Sequence, residues 1–170
     1  MKVRRYSLSK RESREILLRA AELAPKILEV IPRKKISLQV METEGERRWR
    51  VFLFEGRPVL VETPDGDLVP FIGLIREVPD LLPRVVVDLG AVRYIANGAD
   101  VMGPGIVSVE EVEEGSLVAV VDEKYGAPIA VGRALRPASE FKERGKSVEN
   151  LHHAGDKAYT LVREFLLSKS

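Results

Sequence analysis

In the first part of the chain the hydrophobic pattern changes its period from about 3.6 residues to two, and a helix followed by strands is what that change permits. Ile16, Ala20, Leu23 and Ile27 recur at i, i+4, i+7 and i+11, flanked by Leu17, Ala21, Ala24 and Leu28, so a helix here carries a wide apolar stripe. Ser9-Lys10-Arg11-Glu12 at its start has the pattern of a capping box, in which the Ser9 hydroxyl and the Glu12 carboxylate satisfy each other's backbone donors. Pro25 removes one intrahelical hydrogen bond and disfavours a helical Ala24, so a break is expected there, with any continuation ending by Pro32. Beyond it Ile36, Leu38 and Val40 alternate with Ser37, Gln39 and Met41, and Trp49, Val51 and Leu53 alternate with Arg50, Phe52 and Phe54, with Gly45 in the turn. Two more strand-like runs, residues 59–62 and 68–72, flank the turn sequence Pro64-Asp65-Gly66-Asp67.

The later part of the chain is strand-rich and punctuated by glycine. Residues 85–88, 117–122 and 128–135 form strand-like runs, with a turn at Lys124-Tyr125-Gly126. They suit a compact sheet or barrel. Asp156 can cap a final helix in which Ala158, Leu161, Val162, Phe165 and Leu166 share one face and pack back on the body. The expected fold class is therefore α+β. A boundary near Leu82 is expected from Glu77-Val78-Pro79-Asp80-Leu81-Leu82-Pro83, where two prolines stiffen the backbone and remove donors, dividing the chain into residues 1–82 and 83–170. Charge divides at much the same place. Residues 1–60 carry 15 Lys/Arg and 8 Asp/Glu, a net of +7; the remainder holds 12 and 18, a net of −6, so the overall +1 hides two unlike surfaces.

Composition removes several function classes. With 45% hydrophobic residues the chain can build a core, and 170 residues suffice for one ordinary domain or two small ones. There is no cysteine, which excludes disulfides, thiolate metal sites and cysteine nucleophiles. No apolar run is long enough to span a bilayer, and no apolar stretch follows the basic residues of the N-terminus, so a soluble, cytoplasmic protein without membrane contact is expected. The only histidines, His152 and His153, are adjacent; on an extended segment they point to opposite faces, one to pack and hydrogen-bond, the other to meet water, and they do not converge on a metal. Glu110-Glu111-Val112-Glu113-Glu114 precedes Gly115-Ser116 and is expected as a solvated turn. Neither glycine-rich phosphate motif occurs, and Ser108, Ser116 and Ser139 lack a nucleophile-elbow context. No catalytic residue, metal or cofactor is expected.

The most informative stretch runs from Val87 to Ile106: a strand, a short helix from about Ala91 to Ala96 closed by Gly98, and Val101-Met102 turning through Gly103-Pro104-Gly105. Glycines at 98, 103 and 105 permit sharp bends and close approach of another backbone. This segment closely resembles the signature of the PUA domain, a small RNA-binding pseudo-barrel. Gly132-Arg133-Ala134 and the run from Gly145 to Asp156 resemble later elements of the same domain, so the likeness covers about residues 83–160. With the preceding module the arrangement is similar to the pre-PUA plus PUA proteins of archaea and eukaryotes, the malignant T-cell amplified sequence and ligatin N-terminal type.

The resemblance implies a non-catalytic, cytoplasmic protein whose PUA pseudo-barrel binds structured RNA, a tRNA acceptor end or rRNA, in translation initiation, re-initiation or ribosome recycling. It points to Arg93, Gly98, Ala99, Asp100, Met102, Gly103, Pro104 and Gly105 as the RNA surface. Arg93 and Arg133 are the phosphate partners by charge, with Lys146 and Lys157 adding to a rim. It further implies association with the small ribosomal subunit and an initiation-factor-like protein supplied in trans. Arg11, Arg14, Arg33, Lys34 and Lys35 are the candidates for docking on rRNA or an acidic partner. Two rival readings are an accessory RNA-binding subunit of a tRNA- or rRNA-modifying enzyme and a protein-interaction adaptor.

Overall fold

The structure, a computed structural model, describes residues 1–169. A first strand, β1 (Val3–Ser7), leads into α1 (Lys10–Leu23), and the capping box forms in both directions: Ser9 Oγ accepts from the Glu12 amide and Glu12 Oε1 from the Ser9 amide, each at 3.0 Å. The helix stops before Pro25, and a single further turn, α2 (Ile27–Val30), ends before Pro32. There follow β2 (Leu38–Thr43), β3 (Arg50–Phe54), β4 (Arg57–Glu62) and β5 (Leu68–Pro70), which with β1 make an antiparallel sheet in sequential order. The apolar run 68–72 is not one strand. Phe71 turns extended at the N-cap of a further helix, α3 (Ile72–Glu77), which buries Ile72, Leu74 and Ile75.

The second sheet collects β6 (Arg84–Val87), β7 (Val101–Met102), β8 (Ile106–Val109), β9 (Leu117–Asp122), β10 (Pro128–Ala134) and β11 (Lys146–His153), with α4 (Leu89–Ala96) between β6 and β7. Its order is β7-β11-β10-β9-β6-β8; only β6 and β9 run parallel. Register shifts in β10, β11 and β6 bend the strands around a nearly closed pseudo-barrel. The chain ends in α5 (Lys157–Ser168). The fold is α+β, as expected.

Two apolar cores form. One, inside the barrel, gathers Val85, Ile95, Val120, Phe141 and Val148. The other lies with the first sheet, where Leu17 of α1 meets Phe52 and Leu60, and α5 inserts Ala158, Leu161, Val162 and Phe165 into it. Leu117, Ala119 and Val131 of the second sheet reach the same cluster, so the sheets share buried surface. The aliphatic and aromatic side chains of α5 contribute about 1.5–3 kcal/mol each by leaving water.

Polar groups close the joint. His152, fully buried at the end of β11, takes the Ile72 amide on Nε2 at 3.2 Å, so its proton sits on Nδ1 and is donated to Asp156 Oδ2 at 2.7 Å. The Asp156 carboxylate also accepts the amides of His153 at 3.0 Å and Tyr159 at 2.9 Å, the second of which caps α5. One imidazole and one carboxylate thus tie together β11, α3 and α5. His153 faces the other way and is half-buried, its Nδ1 donating to the Ala154 carbonyl at 3.0 Å. Across the two sheets Arg133 of β10 pairs with Asp67, before β5, and with Glu149 of β11 at 3.0 Å.

Burial disfavours a charge on Asp156, but the bonds from His152, Tyr159 and His153 together outweigh that cost and hold its carboxyl below the usual carboxylate range. A depressed folded-state pKa means stability that is present above the ordinary carboxylate pKa and lost as pH falls through the folded value. Asp156→Ala removes a helix cap worth about 1 kcal/mol and strands the His152 donor at about 1–3 kcal/mol. Urea denaturation at neutral pH is expected to show a loss of about 2–4 kcal/mol. The gap between the parent and Asp156→Asn should narrow as pH drops below the carboxylate range; a pH-independent gap would show that the charge on Asp156 contributes nothing.

Candidate nucleic-acid interface

The local fold of residues 87–106 follows from one cap and two kinds of glycine. Asp88 Oδ1 accepts the Ala91 amide at 2.9 Å and starts α4 two residues earlier than the sequence pattern alone marks. Ile95 is buried, and Ala91, Val92 and Ala96 pack on the barrel core, which leaves Leu89, Arg93 and Tyr94 directed outward. Gly98, at φ +100°, ends the helix in a conformation that L side chains rarely adopt. The chain returns through β7 to a 3₁₀ turn, Gly103–Gly105, on the way to β8.

Between α4, this return and the start of β11 lies a groove of about 660 Å³, lined by Gly90, Ala91, Tyr94 and Ile95 from the helix, Gly98, Ala99, Asp100, Met102 and Gly105 from the return, and Lys146 from β11. Tyr94 is 56% and Met102 47% exposed, far more than a side chain of this kind retains when it serves a core. The Arg93 guanidinium lies 4.9 Å from the Tyr94 ring centroid and donates to Tyr94 Oη at 3.0 Å. At the rim Lys146 Nζ stands 3.1 Å from Asp100 Oδ2. Asp100 is in turn held by the Asn150 amide, which donates to its Oδ1 at 2.8 Å, and Asn150 Nδ2 donates to the carbonyls of Ile95 and Ala99, each at 3.0 Å. The loop after α4 is therefore pinned from β11.

Of the residues singled out in the sequence, the structure brings Gly98, Ala99, Asp100, Met102, Gly105 and Lys146 to one groove, with Arg93 at its edge. Four others stand elsewhere. Arg133 does not line it, and its guanidinium is engaged by Asp67 and Glu149. Pro104 is exposed on the 3₁₀ turn outside the lining, and Gly103 is buried. Lys157 lies in a separate depression with Met1, Lys2 and Glu44. Tyr94, Gly90 and Ala91 were legible as groove residues only through their i, i+3 and i+4 spacing on the exposed side of α4, a signal the eight-residue helix barely carries.

The glycines do different work. The Gly103 amide donates to the Gly145 carbonyl at 2.9 Å, and a Cβ there would stand 1.7 Å from the Glu143 carbonyl oxygen. Its bareness serves the packing of the 141–145 loop, not the approach of a ligand. At Gly105 a Cβ would meet the Ala91 Cβ at 3.2 Å, so this glycine lets the 3₁₀ turn close on α4 beside the groove.

The proposed docking cations stand on the first sheet's side of the molecule and are all exposed. Arg11 pairs with Glu15 at 3.3 Å, whereas Arg14, Arg33, Lys34 and Lys35 have no ion-pair partner among the described residues. Buried Ser13 accepts the Leu38 amide at 2.9 Å, which sets the first turns of α1 beside the end of the loop carrying residues 33–35. The acidic run is a solvated turn, with Glu110 paired to Arg84 at 3.3 Å. Among the described residues no group of acidic or histidine side chains forms a metal site, and no helix is long and apolar enough to cross a membrane.

Gly103→Ala is expected to cost about 3 kcal/mol by overpacking against backbone, and Gly105→Ala about 1 kcal/mol, because Ala91 has only to give by a few tenths of an ångström. Chemical denaturation of both variants checks the order; equal losses would mean that the 141–145 loop does not hold Gly103 as described.

Comparison with known proteins accounts for both halves. Residues 83–154 match the family model of the PUA domain. An uncharacterized protein of Methanocaldococcus jannaschii is 37% identical over 159 residues, 92% of this chain and 95% of that protein. Translation machinery-associated protein 20 of Schizosaccharomyces pombe is 32% identical over 143 residues, 80% of this chain and 77% of that protein. The crystal structure of a hypothetical protein from Pyrococcus horikoshii OT3 superposes with a TM-score of 0.76 at 36% identity, covering 93% of this chain and 99% of that one. The likeness extends through the N-terminal sheet as well as the barrel, and the chain belongs to the family of RNA-binding PUA-domain proteins that joins these archaeal proteins to the eukaryotic translation machinery-associated and malignant T-cell-amplified sequence proteins.

Proposed function

We propose that RNA lies in the groove between α4 and the glycine turn, and that the chain works there on a tRNA acceptor end or an rRNA segment at the small ribosomal subunit. The observation that carries this reading is an exposed aromatic and thioether surface, Tyr94 and Met102, bordered by two cations, Arg93 and Lys146, on the PUA unit. A base can stack on such a surface while the cations meet phosphate. Lys146 has to give up Asp100 to do so, and an exposed pair of this kind is worth about 1 kcal/mol or less. A groove of this volume suits an unpaired end, whose bases are free to splay, better than a continuous duplex. The proposed site keeps Arg93, Gly98, Ala99, Asp100, Met102, Gly105 and Lys146, gains Gly90, Ala91 and Tyr94, leaves out Pro104, and releases Gly103 and Arg133 to structural work.

The translation role draws on the relatives that are named translation machinery-associated. In it the unpaired cations Arg14, Arg33, Lys34 and Lys35 dock the first module on rRNA or an acidic face, and an initiation-factor-like protein acts in trans.

Two measurements test this. In fluorescence anisotropy with an acceptor-stem RNA carrying a single-stranded 3′ end, Arg93→Ala and Lys146→Ala should each flatten the slope of log affinity against log salt by about 0.7. Tyr94→Ala should weaken binding by about 1–3 kcal/mol and leave that slope alone. If all three variants bind as the parent does, the groove is not the RNA site. Replacing Arg33, Lys34 and Lys35 together by Ala should weaken co-sedimentation with small subunits by roughly tenfold without changing the melting temperature; undiminished co-sedimentation removes the docking role.

A further inference from the structure

A second groove, of about 500 Å³, lies between the outward face of α5, the helix α3 and the turn joining β3 to β4. Its floor is apolar, with Val162 and Leu166 from α5 and Phe71 from the start of α3. The phenyl ring reaches this position because residue 73 has no side chain: a Cβ on Gly73 would stand 2.5 Å from it. Leu161, Val162 and Phe165 already supply the face that α5 buries, yet Leu166 is 52% exposed, a large aliphatic side chain the core does not use.

The rim is cationic. Arg57, Arg76 and Arg163 stand around this floor with one carboxylate, Glu77, and Glu77 is already taken by Arg57. Arg163 is exposed and has no ion-pair partner among the described residues. Lys169 adds a charge beside Gly56, with its ammonium 4.4 Å from the Phe165 ring centroid. A positive rim over an apolar floor matches either an acidic protein segment or a nucleic acid, and the rings decide between them. Stacking needs an open π-face. Here Phe71 is buried and Tyr159 is half-buried with its ring 6.3 Å from that of Phe71, whereas Tyr94 of the groove at α4 is 56% exposed. What remains open is aliphatic.

We propose that this groove is a docking site for a short acidic segment of a partner protein, with an aliphatic or aromatic anchor seated against Leu166 and flanking carboxylates held by Arg163 and Arg76. Paired guanidinium–carboxylate bonds give the segment its orientation, and the anchor supplies the apolar burial. The site shares no residue with the groove at α4, so it does not depend on the RNA reading.

The test uses the full chain as bait for a phage-displayed random peptide library, followed by titration of the enriched peptides by fluorescence anisotropy. Enrichment of Asp- and Glu-rich peptides with a common apolar anchor is expected. Leu166→Asp and Arg163→Glu, both at exposed positions, should each weaken those peptides at least tenfold, while Leu18→Asp, at an exposed position on α1, should not. Circular dichroism melts confirm that each variant is folded. Basic or unrelated consensus sequences, or acidic peptides that bind Leu166→Asp and Arg163→Glu as tightly as the parent, overturn the proposal. Displacement of the bound peptide by a single-stranded oligonucleotide, relieved in Arg163→Glu but not in Tyr94→Ala, would assign the groove to nucleic acid and overturn it as well.

Discussion

The buried pair of His152 and Asp156 is the constraint on which the arrangement of the molecule depends. Three elements distant in sequence end or begin at it: β11 ends there, α3 begins with its Ile72 amide on the imidazole, and α5 begins with its Tyr159 amide on the carboxylate. Helix starts carry unpaired amides that must find acceptors. Here two helix starts find theirs on neighbouring side chains of one short segment. The imidazole has one acceptor and one donor nitrogen and both are used, which fixes its tautomer and leaves no unsatisfied group on its ring in the interior. Because α3 follows the first sheet and β11 belongs to the second, this bond network also sets how the sheets meet, and Arg133 bridging Asp67 and Glu149 repeats the connection nearer the surface.

That joint has a consequence for the groove at α4. His153, the next residue, lies on the opposite side of the strand, and a Cβ on Gly98 would stand 3.2 Å from its Nε2. Asn150, three residues earlier, holds the carbonyls of Ile95 and Ala99. One strand thus anchors the α3 and α5 contacts with one residue and shapes the end of α4 with others. The groove is preformed by backbone-directed bonds and does not wait for a ligand to order it, which lowers the ordering cost of binding. Its walls carry few polar side chains, so what the proposed RNA site offers is shape and a stacking surface more than a dense set of donors.

Much of the fold was legible in the chain because local signals agreed with the tertiary outcome. The capping box at Ser9, the stop at Pro25, the turn at Gly66 and the cap at Asp156 are all formed by residues within a few positions of each other. What local patterns could not resolve is equally physical. The run from Leu68 to Ile72 is apolar throughout, so it has no period by which to separate a strand from a helix start; Pro70 ends the strand and the helix forms because His152, some 80 residues away, accepts its first amide. β1 is a short edge strand whose exposed arginines mask any alternation. In the groove, glycine spacing marked the loop that lines it but not the separate duties of its members. Gly103 and Gly105 are indistinguishable in sequence, and only the position of the Glu143 carbonyl assigns the first to packing. Arg133 likewise has the charge a phosphate partner needs, and nothing nearby in sequence announces Asp67.

A net charge of +1 is a poor guide to how this chain meets a polyanion, because it says nothing of which cations are held in ion pairs and which are free. Arg19 and Arg50 converge on Glu62, Arg133 on Asp67 and Glu149, and Arg57 on Glu77. Among the cations without such a pair are the Arg14 and 33–35 cluster by α1 and Arg163 on α5, with Arg93 on α4 held by its neighbouring tyrosine. Each place couples that charge to a different surface, a polar loop in the first case, an aliphatic groove in the second and an aromatic one in the third. Charges screened within about 8 Å at physiological salt act on what lies directly beside them. Three different neighbours therefore suit three different contacts, and the proposed RNA site and the proposed peptide site draw on separate cations, so that binding at one would leave the charges of the other in place.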